Sequence, residues 1–374
     1  MVLKGKAAVF IEPFKFDIRE FPLPPVEPGG ILIKVSAAGI CGSDLHIWRG
    51  DNPLSPPGGK GDGYITGHEL TGRIHSLGAG ISTDHLGKPL KEGDRVLFSY
   101  FTPCHRCYHC IRGEYTDCPS NFGGNKSVSE FPYCDGGFAD YYYLKPGTFV
   151  FRVDQDISDS ALTPINCAMT TVMAALERSR MRTGDAVVIQ GVGGLGLYAT
   201  MYAREKGAGL IIAIDGQSSR LELAKQCGAD HTINVSEISE PEDRIEQVKK
   251  FCGYRGGADV VVEVAGFPQV VVEGLEMVRP GGSYVEVGNI SKLSMVNVDF
   301  NRILHGIKYI VPTSFYEPWL LPVALEMLER TKNRYPLTEL VSHTFPLEDI
   351  NRAFTESEWN SKDGTNVIRS IVRP

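Results

Sequence analysis

The chain has no hydrophobic run of the length that a membrane-spanning helix needs. About 18 consecutive apolar residues identify such a helix, and no stretch of the 374 residues reaches that length. The N-terminal segment Met-Val-Leu-Lys-Gly-Lys also lacks the apolar core and the cleavage site of a secretory signal peptide. On these two absences we expect a cytoplasmic protein rather than a membrane-bound or secreted one.

The chain also has fewer basic than acidic residues: 38 Lys and Arg compared with 45 Asp and Glu give a net charge of −7. A protein with this balance repels nucleic acid unless its basic residues form a separate stripe. The densest basic stretch, Lys249 to Arg255, follows the acidic stretch Glu237 to Glu246, and we interpret it as a solvated helix face. We therefore expect no nucleic-acid partner.

The composition is otherwise ordinary for a globular protein, with 42% hydrophobic and 22% charged residues. A chain of this length favours two domains. Nine cysteines without a secretory signal indicate a reducing compartment, in which the thiols are free to bind metal.

Residues 1 to about 160 are rich in Gly and Pro and contain short β-like runs, which predicts an irregular, mostly β domain. From Ala161 onward, strand-like and mostly helix-like segments alternate, which predicts a parallel sheet of six strands with helices on both faces, the complete dinucleotide-binding fold. The six predicted strands are Ala186–Gln190, Leu210–Ile214, His231–Val235, Ala258–Val262, Ser283–Val287 and Ile307–Val311. After Val311 the alternation ends, and we expect the last 60 or so residues to return to the first domain.

A glycine-rich turn follows the first of these strands and opens a helical stretch. Its sequence is Gly191-Val-Gly193-Gly194-Leu-Gly196, a G-x-G-x-x-G motif. Gly191 permits a tight turn, Gly193 lets the backbone approach a pyrophosphate, and Gly196 lets helix and strand pack closely. The N–H groups at the helix N-terminus would bind the phosphates.

An acidic residue is expected at the end of the next strand, and Asp215 stands there, 19 residues after Gly196. A carboxylate at this point accepts a hydrogen bond from a ribose 2′-hydroxyl and repels a 2′-phosphate, which favours NAD over NADP. Arg220 lies nearby and weakens that preference. The alternative interpretation is a helix-packing glycine turn followed by a surface aspartate.

Four cysteines form a compact C-x2-C-x2-C-x7-C pattern within 15 residues: Cys104, Cys107, Cys110 and Cys118. Four thiolates on one loop can close a tetrahedral structural zinc site. An iron–sulfur cluster is the alternative, because C-x2-C-x2-C and Cys118-Pro119 are similar to ferredoxin spacing. The seven-residue last gap and the absence of a second cluster motif favour zinc.

A second set of metal-ligand residue types is dispersed over three segments: Cys41-Gly-Ser43-Asp44-Leu-His46, Gly67-His68-Glu69 and Asn166-Cys167-Ala-Met-Thr170-Thr171. Each segment alone has an ordinary interpretation, because a single His is usually satisfied by local hydrogen bonds and a single Cys is often a small core residue. Their joint occurrence indicates a second metal site.

In these motifs and in their order, the sequence resembles the zinc-containing branch of the medium-chain dehydrogenase/reductase family, which includes alcohol, sorbitol and threonine dehydrogenases. The resemblance covers essentially the whole chain. It implies a mostly β, GroES-like catalytic domain of residues 1–165 and 312–374 with both zinc sites. It also implies a Rossmann-type NAD-binding domain of residues 166–311.

The resemblance also implies roles for residues of the dispersed set. Cys41, His68 and Cys167 would hold a catalytic zinc, Glu69 would enter or support its coordination, and Asp44 would orient the histidine ligand.

Four further residues match the family's reaction and coenzyme sites. Ser43 and His46 match its proton relay, Thr171 matches a residue near the nicotinamide, and Arg369 matches a basic residue that reaches the coenzyme phosphates.

Two residues depart from the family's patterns. Some alcohol dehydrogenases have a coenzyme-binding Arg at the position of Gly42, whereas the sorbitol-like branch has Gly there, as this chain does. That branch, however, often has Glu at the position of Cys167.

The expected reaction is hydride transfer between NAD+ and an alcohol, and the sorbitol-like residues favour a secondary alcohol or polyol. A zinc-independent NADPH quinone or enone reductase and a catalytically idle protein are the alternatives, and a homodimer or homotetramer is the expected assembly.

Overall fold

Two units make up the chain in the computed structural model, which describes residues 3–51, 62–121, 126–291, 294–358 and 367–374. The first unit contains Met1–Cys167, Glu317–Lys332 and Leu337–Pro374. The second contains Ala168–Tyr316 and Asn333–Pro336. The division falls directly after Cys167, so this cysteine belongs to the same unit as Cys41 and His68.

The first unit is built mainly from short strands. Up to residue 169 the elements are β1 (Lys4–Glu12), β2 (Lys15–Pro22), β3 (Ile31–Gly39), α1 (Gly42–Arg49), β4 (Tyr64–Ile65), β5 (Glu69–Leu77), β6 (Arg95–Phe98), α2 (Tyr108–Ile111), a 3₁₀ turn (Tyr115–Asp117), β7 (Tyr141–Leu144), β8 (Val150–Arg152), α3 (Asp159–Leu162) and a π-helical turn (Ile165–Met169). Between them lie loops with many Gly and Pro residues, as the composition predicts.

Strands and helices alternate strictly in the second unit. Its elements are α4 (Thr170–Arg178), β9 (Ala186–Gln190), α5 (Gly194–Glu205), β10 (Leu210–Asp215), α6 (Ser218–Gln226), β11 (His231–Asn234), α7 (Pro241–Cys252), a 3₁₀ turn (Gly253–Arg255), β12 (Ala258–Glu263), α8 (Gln269–Met277), β13 (Val278–Glu286), α9 (Phe300–Gly306) and β14 (Tyr309–Pro312). The six strands form one parallel sheet in the order β11-β10-β9-β12-β13-β14. This confirms the predicted dinucleotide-binding sheet, whose strand order reverses between β9 and β12.

The inner strands of this sheet explain why the sequence predicted it so well. Every residue of β9 and β12 is buried, because a parallel sheet covered by helices on both faces needs continuous apolar strands. The other predicted strand boundaries lie within two residues of the observed ones, but one differs more: we expected a strand from Ser283, whereas β13 begins at Val278. Pro280-Gly281-Gly282 signals a strand break, but the chain passes through these residues with a register shift against β12.

The last elements complete the first unit. They are α10 (Leu320–Thr331), β15 (His343–Pro346), a 3₁₀ turn (Leu347–Asp349), α11 (Ile350–Ser357) and β16 (Ser370–Arg373). β16 pairs antiparallel with the end of β3, where Ile371 is opposite Gly39. The main sheet of this unit has the order β15-β16-β3-β5-β6-β8, with β7 also on β3. In the described part of the chain, no helix has the length and apolar character that a membrane crossing requires.

Candidate metal centre and coenzyme turn

Cys41 is fixed at the point where β3 ends and α1 begins. It is the N-cap residue of α1, and it forms a reciprocal capping box with Asp44. The backbone N–H of Cys41 donates to Asp44 Oδ2 at 3.0 Å. Because Asp44 is almost completely buried, this contact fixes the backbone of Cys41 at the start of α1.

His68 lies just before β5, with a candidate donor or acceptor at each ring nitrogen. Its Nδ1 is 3.6 Å from Asp44 Oδ1, and its Nε2 is 3.2 Å from Cys167 Sγ. The ring of Tyr100 covers it at a centroid distance of 4.9 Å. Asp44 therefore contacts both Cys41 and His68, as expected for a residue that orients a histidine ligand.

Cys167 lies in the π-helical turn, which Asn166 ties to the start of β5. The Asn166 side chain is fully buried. Its Oδ1 accepts from the backbone N–H of Leu70 at 3.3 Å, and its Nδ2 donates to the carbonyl of His68 at 2.9 Å. Sequence reasoning noted Asn166 only as a neighbour of Cys167, and the one available signal was a polar residue in an apolar stretch.

Together these segments form a buried cluster of four candidate ligands. Single ligand atoms of Cys41, His68, Glu69 and Cys167 all lie within 4.8 Å of one another. A tetrahedral zinc would set a histidine nitrogen and a cysteine sulfur about 3.5 Å apart, close to the 3.2 Å between His68 Nε2 and Cys167 Sγ. Two sulfurs, an imidazole and a carboxylate at this spacing fit a zinc ion.

The electrostatics of the cluster favour one thiolate, at Cys41. Hydrogen bonds from Cys167 and His68 lower the pKa of the Cys41 thiol well below its ordinary value, against the effect of burial. Burial opposes protonation of His68, but the charges of Asp44 and Cys41 raise its pKa well above its usual value. The pKa of Cys167 is raised, first by its hydrogen bond to Cys41 and then by burial. Cys41 therefore holds the thiolate that a metal needs.

Glu69 and Arg369 form an ion pair inside this cluster. Arg369 Nη1 contacts Glu69 Oε2, and both side chains are almost completely buried. Burial raises the pKa of Glu69 to about 8, although the Arg369 charge opposes this shift. Oε1 of Glu69 has no hydrogen-bond partner among the described residues, which leaves it available to a cation. Arg369, expected at the coenzyme phosphates, here contacts the carboxyl group of one of the four candidate ligands.

The four-cysteine loop forms a second cluster, with all four sulfurs within 4.8 Å of one another. Sγ of Cys110 lies 3.6 Å from that of Cys107 and 4.0 Å from that of Cys104. Tetrahedral zinc sets neighbouring sulfurs about 3.8 Å apart. Cys118 Sγ accepts from the backbone N–H of Cys104 at 3.3 Å. Four sulfurs at this spacing fit a closed zinc site with no position for a substrate.

His46 is part of a charged network next to Ser43 on α1. Its Nδ1 is 2.8 Å from Asp51 Oδ1 and 3.0 Å from Arg49 Nη2. Arg49 also contacts the carboxylate of Glu358 at 2.8 Å. Burial lowers the pKa of His46, while its hydrogen bond to Asp51 opposes this effect. Ser43 adds a hydrogen bond to the Cys41 thiol. No motif in the sequence indicated that Arg49, Asp51 and Glu358 belong to this network.

The glycine turn has the predicted conformation between β9 and α5. Gly191 has φ +88°, and a Cβ there would lie 2.7 Å from Cα of Ala265. A Cβ on Gly196 would clash with the carbonyl oxygen of Gly191. Gly193 is the N-cap residue of α5, and Gly194 is its first residue. Gly193, Gly194 and Leu195 are partly exposed, so the N–H groups of this helix N-terminus can reach a phosphate.

Asp215 ends β10 beside this turn. Its Oδ2 accepts from the backbone N–H of Val192 at 2.9 Å, and its Oδ1 accepts from that of Gln217 at 2.9 Å. Nη1 of Arg220 would be 3.7 Å from a Cβ on Gly193. An acid and a guanidinium therefore both flank the turn, as the sequence suggested.

Two sequence expectations are left without a geometric counterpart in the metal centre. Thr171 is the second residue of α4 and is buried in the second unit. The Gly- and Pro-rich loop Asp51 to Gly63, which its place between His46 and His68 makes a candidate for shaping a substrate pocket, lies mostly outside the described residues.

Known proteins similar to this chain cover both units. A family model described as "Zinc-binding dehydrogenase" matches residues 194–330, and one described as "Alcohol dehydrogenase GroES-like domain" matches residues 27–155. The 5-exo-hydroxycamphor dehydrogenase of Pseudomonas putida is 33% identical over 352 residues, 93% of this chain and 94% of the relative. The sorbitol dehydrogenase of Bacillus subtilis is 34% identical over 300 residues, 79% of this chain and 78% of the relative. A crystal structure of an alcohol dehydrogenase from Thermotoga maritima has a TM-score of 0.89 at 29% identity, with 100% of each chain covered.

Proposed function

Because the chain belongs to the zinc-containing branch of the medium-chain dehydrogenase/reductase family, we propose that it transfers a hydride between an alcohol and NAD+ and yields a ketone or aldehyde. The observation that carries this proposal is the buried cluster of Cys41, His68, Glu69 and Cys167. Zinc bound there would supply a Lewis acid for the substrate oxygen, and NAD+ would supply the hydride acceptor.

The chain's own residues have separate tasks in this reaction. We assign Cys41, His68 and Cys167 as zinc ligands and Asp44 as the residue that orients His68. Glu69, paired with Arg369, supports the site and can enter it.

Ser43 and His46 carry the alcohol's proton toward solvent. The lowered pKa of His46, which follows from its burial, keeps the imidazole neutral near pH 7 and able to accept that proton.

The second unit supplies the coenzyme site. We propose that the glycine turn Gly191–Gly196 binds the pyrophosphate, that Asp215 accepts from the ribose hydroxyls, and that Thr171 lies near the nicotinamide. The position of Asp215 favours NAD, whereas Arg220 beside Gly193 reduces the discrimination against NADP. The first unit is accordingly the catalytic domain and the second the NAD-binding domain.

For the substrate, we propose a secondary alcohol or a polyol. Relatives named for 5-exo-hydroxycamphor, erythritol and L-threitol, and sorbitol support this choice. A zinc-independent quinone reductase is disfavoured, because it has no use for a buried set of two thiols, an imidazole and a carboxylate.

The remaining features complete the proposal. Cys104, Cys107, Cys110 and Cys118 hold a second, structural zinc. None of the nine cysteines, all of which the structure describes, forms a disulfide, which supports a reducing compartment such as the cytoplasm.

We further propose a homodimer or homotetramer that assembles through the edge strand β14. Ile310 on β14 and Phe300 and Leu304 on α9 are large exposed apolar residues at or near this edge.

The first test is elemental analysis of the purified protein before and after mild chelation, together with NAD+ reduction on a panel of alcohols. We expect about two zinc ions per chain and loss of activity as the more labile ion leaves. One chelation-resistant zinc per chain, or activity unaffected by chelation, would instead favour the zinc-independent reductase.

A further inference from the structure

Two carboxyl groups meet at the carboxyl edge of the six-stranded sheet in the second unit. Glu263 ends β12 and Glu286 ends β13, and they are register partners in adjacent strands. Glu263 is 0% exposed. Asn289 Nδ2 lies 3.2 Å from Glu263 Oε2 and 3.1 Å from Glu286 Oε1, so one amide donates to both side chains. Glu286 is only partly buried, but its charge beside the fully buried Glu263 opposes a second charge there, which favours a pair that holds one proton.

Glu263 anchors the turns that follow both strands. Its Oε1 accepts from the backbone N–H groups of Ala265 and Gly266, each at 2.7 Å. Its Oε2 accepts from the backbone N–H of Gly288 at 3.1 Å. The position of this one carboxyl group therefore sets the conformation of both turns.

The turn that Glu263 anchors packs directly against the glycine turn. Ala265 is so close to Gly191 that a Cβ on the glycine would lie 2.7 Å from Cα of Ala265. The backbone N–H of Val264 also donates to the carbonyl of Gln190, the residue before Gly191, at 3.0 Å. A displacement of Ala265 would thus reach the first residue of the glycine turn.

We propose that Glu263 and Glu286 are positioning residues that share one proton and thereby make the affinity for the dinucleotide depend on pH. The inference rests on the proposed function, in which the glycine turn binds NAD. Loss of the shared proton places two negative charges side by side, pushes the carboxylates apart and displaces the Ala265–Gly266 turn. It also adds a negative charge to the unit that binds an anionic pyrophosphate.

The surroundings of the pair support a proton that is released in an accessible pH range. Burial, and then the charge of Glu286 and a hydrogen bond with it, raise the pKa of Glu263 to about 8, against the backbone hydrogen bonds from Gly266 and Ala265, which lower it. The register neighbours on β9 and β14, Gln190 and Pro312, are uncharged.

Tyr284, on the same strand as Glu286, donates to Glu286 at 3.4 Å. The nearby charged groups on other elements are paired with each other. Glu273 on α8 is paired with Arg244 on α7 at 2.6 Å, and Arg302 on α9 is paired with Glu276 at 2.9 Å.

The test is a fluorescence titration of the zinc-loaded protein with NADH between pH 6.5 and 9.5, on wild type, Glu286→Gln and the control Glu276→Gln. Glu276 is also an acid of the same unit, but it pairs with Arg302 at the surface. We expect wild type and the control to lose about three- to tenfold in affinity as pH rises. Glu286→Gln should change by less than about twofold, because a neutral amide replaces the second acid.

A second measurement, the unfolding temperature Tm of the coenzyme-free protein, does not depend on NADH. Because the folded pKa of Glu263 lies above its ordinary 4.5, at about 8, the stability present at low pH is lost as pH rises between these values. This loss of stability should be smaller in Glu286→Gln.

Parallel affinity–pH curves for wild type and Glu286→Gln, or a flat wild-type curve, would overturn the proposal that the two carboxyl groups share a proton. No NADH binding at any pH would refute the proposed function instead.

Discussion

The two candidate metal clusters of the first unit differ in origin and in surroundings. One takes four sulfurs from the 15 residues Cys104 to Cys118, whereas the other takes its ligands from segments as far apart as Cys41 and Cys167. The loop cluster is partly exposed and consists of sulfur alone. The dispersed cluster is largely buried and contains a carboxylate, paired with Arg369, among its candidate ligands.

This difference in ligands predicts whether each cluster would leave a coordination position of a bound zinc open. Four thiolates complete a tetrahedral shell, so the loop cluster is closed and serves stability. Two thiolates and an imidazole leave one position open, which a reaction on a bound substrate requires. The open cluster is therefore the one surrounded by orienting contacts, such as those from Asp44 and Asn166.

Cys41→Ala gives the sharpest separation of the two clusters. We expect kcat/KM to fall by about 10³-fold or more, because zinc stabilises the charge on the reacting oxygen by several kcal/mol. Metal content should drop by about one ion per chain, while NADH binding persists in the other unit. Retention of full activity would end the catalytic interpretation of the dispersed cluster.

Cys107→Ser should affect stability rather than turnover. Loss of one thiolate opens the structural site and costs about 3–5 kcal/mol, so Tm measured by calorimetry should fall by about 10 °C. Cys134→Ser is the matched control, because Cys134 lies outside both clusters and its Sγ contacts the carbonyl of Pro132 at 3.4 Å, which a serine hydroxyl can also do. An equal loss of Tm in both variants would argue against a structural metal in the loop.

Glu69→Gln tests the ion pair that distinguishes the dispersed cluster. Measured at pH 9, above the pKa of about 8 that burial gives Glu69, it removes the charge that Arg369 faces in a buried site, which should lower the free energy of unfolding by about 3–5 kcal/mol. Arg369→Met should cost a similar amount. The double variant should cost clearly less than the sum of the two, as a double-mutant cycle of urea unfolding would measure. Simple additivity would show that the two side chains act independently.

Asp51→Asn tests the smallest predicted effect, which is the influence of Asp51 on the pKa of His46. Burial lowers the pKa of His46, and Asp51 opposes this, so removal of the Asp51 charge lowers that pKa further. A smaller fraction of His46 is then protonated in acid, and the acid limb of the kcat/KM profile should move to lower pH. At the midpoint of the wild-type acid limb, activity relative to the plateau should rise by up to about twofold.

Arg49→Gln is the opposing control for this experiment. The charge of Arg49 lowers the pKa of His46, so its removal should move the acid limb to higher pH. A shift of the acid limb in the same direction in both variants would contradict the assignment of His46 as the titrating group.

The sequence predicted features whose signal lies within a short window. The strands β9 and β12 are continuous apolar runs, the glycine turn is six consecutive residues, and the four-cysteine loop is one segment. Backbone geometry links such residues before the rest of the chain folds. For this reason their types and spacing alone predicted a parallel sheet, a phosphate-binding turn and a closed metal loop. The start of β13 was missed because Pro280-Gly281-Gly282 has the local signal of a break.

Contacts between residues far apart in the sequence could be identified only from the folded structure. The Glu69–Arg369 pair joins residues 300 positions apart, and Arg49 and Glu358 are 309 apart. Likewise, Asn166 ties the Cys167 turn to His68, and the carboxyl pair Glu263 and Glu286 forms only when β12 and β13 become neighbours. Such partners leave no local pattern, because burial and the alignment of strands select them when the core packs. The sequence thus determined the fold class and the chemistry available, while the packed core decided how that chemistry is oriented and charged.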